Sequence, residues 1–197
     1  MAFISEDSIR EKADEATIKF LDLWEELSNS VLGTSLPVCI KDLKKNPLYK
    51  HITYEFSTAI PDPVEKPVSL AIWTSHYPHL SNVLITHEIG HWILVLKGFK
   101  TIREGRLDRV KNALIRSMID HPVIYSLQRK YGHDPLEWVD RRAIDSIHYV
   151  QKQAVPWPHG INLMALYLAD DVFNCSKRVS KRILRLSRRY HPKLHEK

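Results

Sequence analysis

The residues best suited to chemistry lie in one five-residue stretch, His87-Glu88-Ile89-Gly90-His91. On a helix, two histidines four positions apart lie one above the other on the same face, so their imidazoles can converge on one cation. Glu88 is turned modestly away from that line and can reach a water bound to the same cation. This H-E-x-x-H spacing is the arrangement that holds zinc in hydrolytic sites. The stretch therefore predicts two zinc ligands, His87 and His91, and a general base, Glu88.

The surrounding residues predict that the motif lies on a well-bounded and largely buried helix. Ser81 or Asn82 is a suitable N-cap, and Gly98 follows the last turn. One face of this helix is apolar and comprises Ile85, Ile89, Trp92, Ile93 and Leu96. Unpaired His and Glu side chains in such a helix would cost several kcal/mol, and a bound metal would satisfy all three. The alternative is a core helix whose histidines bond to neighbouring carbonyl groups.

The run from Ile85 to Trp92 resembles the active-site helix of zincin metallopeptidases, including small gluzincin-like members with a catalytic domain about the size of this chain. The resemblance implies a compact α+β fold in which a small sheet precedes the metal helix and the C-terminal half is mainly helical. Residues 51–60 and 67–75 have the β-branched and aromatic composition of strands. In zincins, the edge strand of such a sheet holds an extended peptide by strand addition. A purely structural sheet is the alternative for these segments.

The third metal ligand is not local to the motif. Metzincins are excluded because Leu94 and Lys97 occupy the positions of their Gly and His. The resemblance to compact gluzincins places Asp120 where their Glu ligand stands, whereas zinc chemistry favours His121. Adjacent helical residues point about 100° apart, so one of the two binds the metal and the other orients a ligand. A helix-end pair before Pro122, with neither residue at the metal, is a further alternative.

Length and composition indicate one domain with a substantial core, because 44% of the 197 residues are apolar. We expect a cytoplasmic protein without a membrane span, since there is no 18-residue apolar run and no basic leader followed by an apolar stretch. The only cysteines, Cys39 and Cys175, are far apart, which predicts reduced thiols. These features carry no information on oligomeric state.

The remaining patterns predict helices on both sides of the motif. A capping-box pattern at Ser8–Glu11 predicts the start of an amphipathic N-terminal helix. Downstream, we expect helices over about 123–131, 135–153 and 162–190, with a Pro-rich linker at 156–160. The chain is therefore predicted to be more helical than stranded.

Positive charge is concentrated at the C-terminal end. Residues 173–197 contain nine Lys or Arg and one Glu, a net charge of +8, so residues 1–172 sum to −2. We interpret residues 1–172 as a zincin-like metallopeptidase domain and residues 173–197 as a basic amphipathic helix and tail. Such a helix is typical of binding to nucleic acid, to an anionic membrane surface or to an acidic protein patch. A solvated basic face is the alternative.

The sequence thus predicts a zinc-dependent peptidase that acts on an extended polypeptide. Several side chains are suitable by type to stabilise an oxyanion, namely Tyr125, Tyr131, His133 and His148. Two other interpretations stay open. One is a nucleic-acid-associated zincin whose basic tail sets its role, and the other is a non-catalytic helical domain in which zinc has a closed coordination shell.

Overall fold

The computed structural model describes residues 3–47, 57–62, 68–99, 109–152 and 161–190. Contacts divide the chain into two units. Unit 1 comprises residues 1–100 and 124–133, and unit 2 comprises residues 101–123 and 134–197. The predicted α+β class is confirmed, with a small sheet ahead of the motif helix and a mainly helical C-terminal half.

Unit 1 contains a four-stranded sheet with the order β1-β2-β4-β3. Its strands are Phe3–Ile4 (β1), Val38–Asp42 (β2), Ser57–Asp62 (β3) and Ser69–Thr74 (β4). β2 and β4 are parallel, and the two outer strands are antiparallel to their neighbours. β4 is buried along its whole length, as its apolar sequence requires. β4 lies within the predicted segment 67–75, whereas β3 overlaps the predicted segment 51–60 at residues 57–60 and continues to Asp62. Residues 51–56 and 67 of these segments lie outside the described residues.

Two helices, rather than the single predicted one, lie between β1 and β2. They are Glu6–Arg10 (α1) and Glu15–Leu32 (α2). The predicted helix start at Ser8 is wrong because Ser5 caps α1 and Asp14 caps α2. Asp14 Oδ1 accepts a hydrogen bond of 2.8 Å from the Thr17 amide, which satisfies a free donor of the first turn of α2.

The motif helix runs from Asn82 to Leu96 (α3), and Ser81 is its N-cap, as predicted. Every residue from Leu84 to Gly90 is buried. The main core of unit 1 includes residues of α2, α3 and the sheet, among them Phe20, Trp24, Val38, Ile40, Leu70, Ile72, Ile85, Ile89 and Ile93. This packing explains why α3 is apolar on most sides and why its polar residues are enclosed.

The next helix, Arg109–Lys130 (α4), continues through Pro122. The expected helix start near residue 123, and the alternative in which a helix ends before Pro122, are therefore wrong. A proline inside a helix removes one backbone hydrogen bond and costs about 3 kcal/mol, which tertiary contacts must outweigh. Gln128 supplies such contacts, because its Nε2 donates to Val83 O and Thr86 Oγ1, both at 2.8 Å. These bonds tie the end of α4 to the start of α3.

Gly90 sets how closely α3 and α4 approach within unit 1. A Cβ atom at this position would lie 2.8 Å from Cγ2 and 3.2 Å from Cγ1 of Ile124. Ile124 is fully buried, so its branched side chain has little room to move. The glycine of the motif is thus a packing requirement, in addition to its place between the two histidines.

Unit 2 contains the helices Leu136–Lys152 (α5), Ile161–Asn174 (α6) and Lys177–Tyr190 (α7). Its core consists of Ala143, Leu168, Val179, Ile183 and Leu186. The prediction of a single helix over 162–190 is wrong because the helix is interrupted at Ser176, between α6 and α7. The Ser176 amide donates to Asp140 Oδ1 at 2.6 Å, and Ser176 Oγ caps α7. The domain boundary predicted between residues 172 and 173 falls inside α6.

Two further expectations concern membranes and thiols. None of the helices in the described ranges combines the length and apolarity needed to cross a membrane. Neither Cys39 nor Cys175 forms a disulfide within the described part of the chain. Burial and the neighbouring carboxylates of Asp140 and Asp171 raise the pKa of Cys175 to about 11, so this side chain is a neutral thiol near pH 7.

We expect Gly90→Ala to destabilise the protein, because overpacking costs about 1–3 kcal/mol while alanine gains at most about 1 kcal/mol in helix propensity. Ile124→Ala should cost about 2–5 kcal/mol by itself. The double variant should be less destabilised than the sum of the two, and denaturant unfolding of all four proteins measures this coupling. Additive effects would show that Gly90 and Ile124 do not constrain each other.

Candidate metal centre

Helix α3 places both histidines and the acid of the motif together. His87 and Glu88 are buried and His91 is half-buried. The imidazole rings of His87 and His91 lie 5.0 Å apart between centroids and are nearly perpendicular. One turn of helix therefore brings together two side chains of a type that can bind a metal, as the spacing predicts.

Helix α4 adds His121. The ligand nitrogens of His87, His91 and His121 all lie within 4.8 Å of one another. His121 lies on the same continuous helix as Ile124 and Tyr125, about one turn before them. The Tyr125 ring stacks against His87 at 5.7 Å between centroids, so this stretch of α4 is packed directly on the motif.

The two candidates for the third ligand have different surroundings. Asp120 accepts a hydrogen bond of 3.0 Å from Arg116 Nε, one turn earlier on α4. Within the described part of the chain, the group of converging ligand atoms includes His121 and does not include Asp120. Because the two side chains leave α4 about 100° apart, they do not face the same point. The geometry favours His121 as the third ligand.

A carboxylate on α6 fixes the orientation of His121. Nδ1 of His121 lies 3.0 Å from Oδ1 and 2.9 Å from Oδ2 of Asp170, and both residues belong to unit 2. An ionised carboxylate only accepts hydrogen bonds, so Nδ1 must carry the proton. The lone pair of a neutral His121 is then on Nε2. This carboxylate–histidine arrangement is the one that orients metal-binding imidazoles and raises their basicity.

Asp170 is itself held by a buried polar network. Arg142 Nη2 donates to Asp170 Oδ2 and to Asp171 Oδ1, each at 3.0 Å, and Asn174 Nδ2 donates to Asp170 Oδ1 at 2.8 Å. Burial alone raises the pKa of Asp170, but His121 and Arg142 outweigh it, so the pKa lies below its usual value. Burial raises the pKa of neighbouring Asp171 despite Arg142. Asp170 therefore stays the ionised acceptor for His121.

Asp170, Arg142 and Asn174 were not among the site residues predicted from the sequence. Asp170 lies 49 residues after His121, and no local spacing connects them. One signal was present, namely the pair Asp170-Asp171 within an otherwise apolar helical run. Two adjacent acids in such a run require buried partners. Their partners, however, come from other helices and cannot be read from spacing.

Glu88 lies beside β3, one of the two edge strands of the described sheet. Burial raises the pKa of Glu88 to about 7, although His91 and a hydrogen bond from the Ala59 backbone oppose that rise. Trp92 Nε1 donates to the Ala59 carbonyl oxygen at 2.7 Å. Both backbone groups of Ala59 thus contact α3, which fixes β3 alongside the Glu88 carboxylate.

The donor set fits zinc. Three imidazoles are neutral nitrogen ligands of the kind that zinc prefers, and His121 is held with one nitrogen available. Two of the histidines are buried, which gives the low solvent access typical of a metal centre. His87, His91 and His121 would hold the ion, and Glu88 would act on a water molecule bound to that ion.

The oxyanion donors suggested by residue type have varied positions. His133 Nε2 lies 3.0 Å from Thr17 Oγ1, and Tyr131 packs edge-on against Phe20, so both belong to the framework of unit 1. Tyr125 contacts the His87 ring and is the one of these three at the metal centre. The side chain of His148 lies outside the described residues.

Comparisons of the chain with protein-family models, with curated proteins and with solved structures give no match.

We expect the purified protein to bind one zinc ion per chain. Each of the variants His87→Ala, His91→Ala and His121→Ala should lower zinc affinity by more than about 100-fold. This loss exceeds the range of about 10–100-fold that is typical of residues that only orient a ligand. His79→Ala, at an exposed histidine, is the control. Competition with a chromogenic chelator measures the affinities.

Asp120→Asn serves in the same experiment as the test of the third ligand. It should lower zinc affinity less than about 10-fold, because Asp120 bonds to Arg116 and lies outside the converging group. A larger loss from Asp120→Asn than from His121→Ala would assign the third ligand to Asp120.

We expect Asp170→Asn to weaken zinc binding by about 10–100-fold, because the amide can donate to Nδ1 and so favours the wrong tautomer of His121. Asp171→Asn is the matched control, since it also bonds Arg142 but no described contact joins it to His121. Nitrogen NMR of the His121 ring reports the tautomer in metal-free protein. Equal effects of the two variants on affinity and tautomer would assign Asp170 a structural role only.

Proposed function

We propose that this protein is a zinc-dependent peptidase. The observation that carries the proposal is the convergence of His87, His91 and His121, with Glu88 on the same helix turn. Zinc held by these imidazoles would act as a Lewis acid on the scissile carbonyl and would acidify a water molecule. The contribution of each residue follows from its position.

The number of ligands supports a catalytic over a purely structural site. Among the described residues, the converging group has three members, whereas structural zinc sites have four protein ligands. His91 is half-buried, so solvent can reach the three-histidine group from the side of His91. A site with three protein ligands and access from one side leaves a position for water or substrate.

Glu88 is the residue placed to move the proton. It directly follows His87 in α3, so its carboxylate leaves the helix about 100° from that ligand. The Ala59 amide donates to it, which restricts its orientation. In this role Glu88 removes a proton from the attacking water and returns it to the leaving amine.

The position of β3 supports an extended polypeptide as the substrate. β3 is the last strand on its side of the described sheet, and α3 contacts it through Glu88 and Trp92 at Ala59. A chain laid in extended form along this edge would pass beside the Glu88 carboxylate, and it would bind through backbone groups of β3 other than those of Ala59, which bond to α3. Recognition through the backbone of an edge strand selects for extended conformation more than for particular side chains.

We expect Glu88→Gln to keep the fold and the bound zinc but to lose about 10²–10⁴-fold in hydrolysis of an unfolded casein-like substrate, because the amide cannot accept a proton. Glu26→Gln, an exposed position on α2, is the matched control and should retain activity. Zinc content and circular dichroism are measured on the same samples.

The outcomes separate three cases. Turnover retained by zinc-loaded Glu88→Gln would dismiss Glu88 as the general base. Wild-type protein that binds zinc tightly but cleaves neither casein nor a peptide library would instead favour a metal-stabilised domain without peptidase activity. Absence of zinc from wild-type protein would overturn the site itself.

A further inference from the structure

Helix α7 has two opposite faces of different chemistry. At about 100° per residue, its seven basic residues fall within an arc of about 140°. We call this the cationic face; it comprises Lys177, Arg178, Lys181, Arg182, Arg185, Arg188 and Arg189. All seven are exposed, and α7 contains no acidic residue. The face extends over about 18 Å of helix axis, since each residue adds about 1.5 Å.

The opposite face of α7 is already in use. Val179, Ile183 and Leu186 are buried in the core of unit 2 with Ala143 of α5 and Leu168 of α6. These contacts fix the rotation of the helix about its axis, so the cationic face points away from the core. They also leave α7 without an apolar face that could enter a lipid layer, which peripheral membrane helices require.

A groove runs beside the cationic face. It has a volume of about 490 Å³ and is lined by Ile144 of α5 and by Arg178, Val179, Lys181, Arg182 and Arg185 of α7. Of the described residues that line it, four are cations and none is a carboxylate. Clustering of like charges raises the free energy of the protein unless an anion compensates it. The groove therefore has the charge of a binding site for an anionic ligand.

We propose that the cationic face of α7 binds the phosphate backbone of double-stranded DNA. Each strand of the duplex carries one phosphate per about 3.4 Å of axis, so an 18 Å face spans about five phosphates of one strand. Five of the seven cations are arginines, whose planar guanidinium groups bind phosphate oxygens in pairs. An α-helix held rigidly on its framework also fits the major groove of B-form DNA, which is about 12 Å wide.

Other polyanions fit this face less well. Single-stranded nucleic acid is bound largely by aromatic stacking, and the only aromatic residue of α7, Tyr190, lies in its apolar arc. Duplex RNA has a major groove too deep and narrow for side chains to enter. Anionic membranes bind amphipathic helices whose apolar face is free, whereas that of α7 is buried.

Fluorescence anisotropy with a labelled 20-base-pair DNA duplex, measured over a range of salt concentrations, tests the proposal. Five to seven phosphate contacts predict a slope of log affinity against log salt of about −4.5 to −6. Replacing Arg178, Arg182 and Arg185 with Glu should reduce the size of this slope by about 3 and lower affinity at least 100-fold at low salt. The triple Arg→Lys variant keeps the charge and should retain most of the affinity.

The matched control replaces Lys12, Lys44 and Lys45 with Glu. These exposed lysines of unit 1 give the same change in net charge away from α7. The control should bind DNA within about tenfold of wild type, and an equal loss in both variants would overturn the proposal in favour of a net-charge effect. If the Arg→Glu variant does not fold, as judged by circular dichroism, Arg→Gln at the same three positions replaces it.

Two competitors complete the test. Vesicles containing phosphatidylserine and a single-stranded oligonucleotide of equal length should each compete more weakly than the duplex, and stronger competition by either would overturn the assignment to duplex DNA. Glu88→Gln should bind DNA like wild type. Loss of peptidase activity with DNA binding intact, or the reverse, then tests the cationic face and the metal centre separately.

Discussion

The close approach of α3 and α4 at Gly90 is the constraint on which the candidate metal centre depends. Ile124 fills the space where any larger side chain at position 90 would place its Cβ. Gln128 holds the same two helices together through two hydrogen bonds, and Tyr125 covers the His87 ring. Since packed interiors deform little, these contacts hold α3 and residues 124–128 of α4 in one arrangement within unit 1.

Burial of charged groups is the second constraint, and it explains why the site extends beyond its ligands. Asp170 is buried next to His121, and a buried carboxylate is stable only with charged or hydrogen-bonded partners. Arg142 and Asn174 provide these partners. Removing either one would leave the buried carboxylate of Asp170 with fewer partners, so the network is expected to act as a unit. Helices α5 and α6 therefore do more than pack: they fix which nitrogen of His121 is protonated.

Helix α7 shows how one amphipathic segment serves stability and surface chemistry together. Its apolar arc is part of the core of unit 2, and its basic arc is exposed. The sequence alone predicts this stripe, because Val179, Ile183, Leu186 and Tyr190 recur at helical spacing. That spacing does not determine what covers the apolar stripe, which could be other helices of this chain, a membrane or a partner protein. The contacts with Ala143 and Leu168 decide it, and they leave only the charged face available for binding.

Local features of this chain were predictable because their causes are local. The helix of His87, Glu88 and His91 follows from helical periodicity, a Ser81 cap and apolar flanks, and strands β3 and β4 follow from composition. The N-terminal helix start was wrong because two competing caps, Ser5 and Asp14, are decided by which side chains find free amide donors. The choice of His121 over Asp120, and the part played by Asp170, required tertiary structure. Residues 49 positions apart meet only when their helices pack, and no local pattern encodes which side of a helix faces that neighbour.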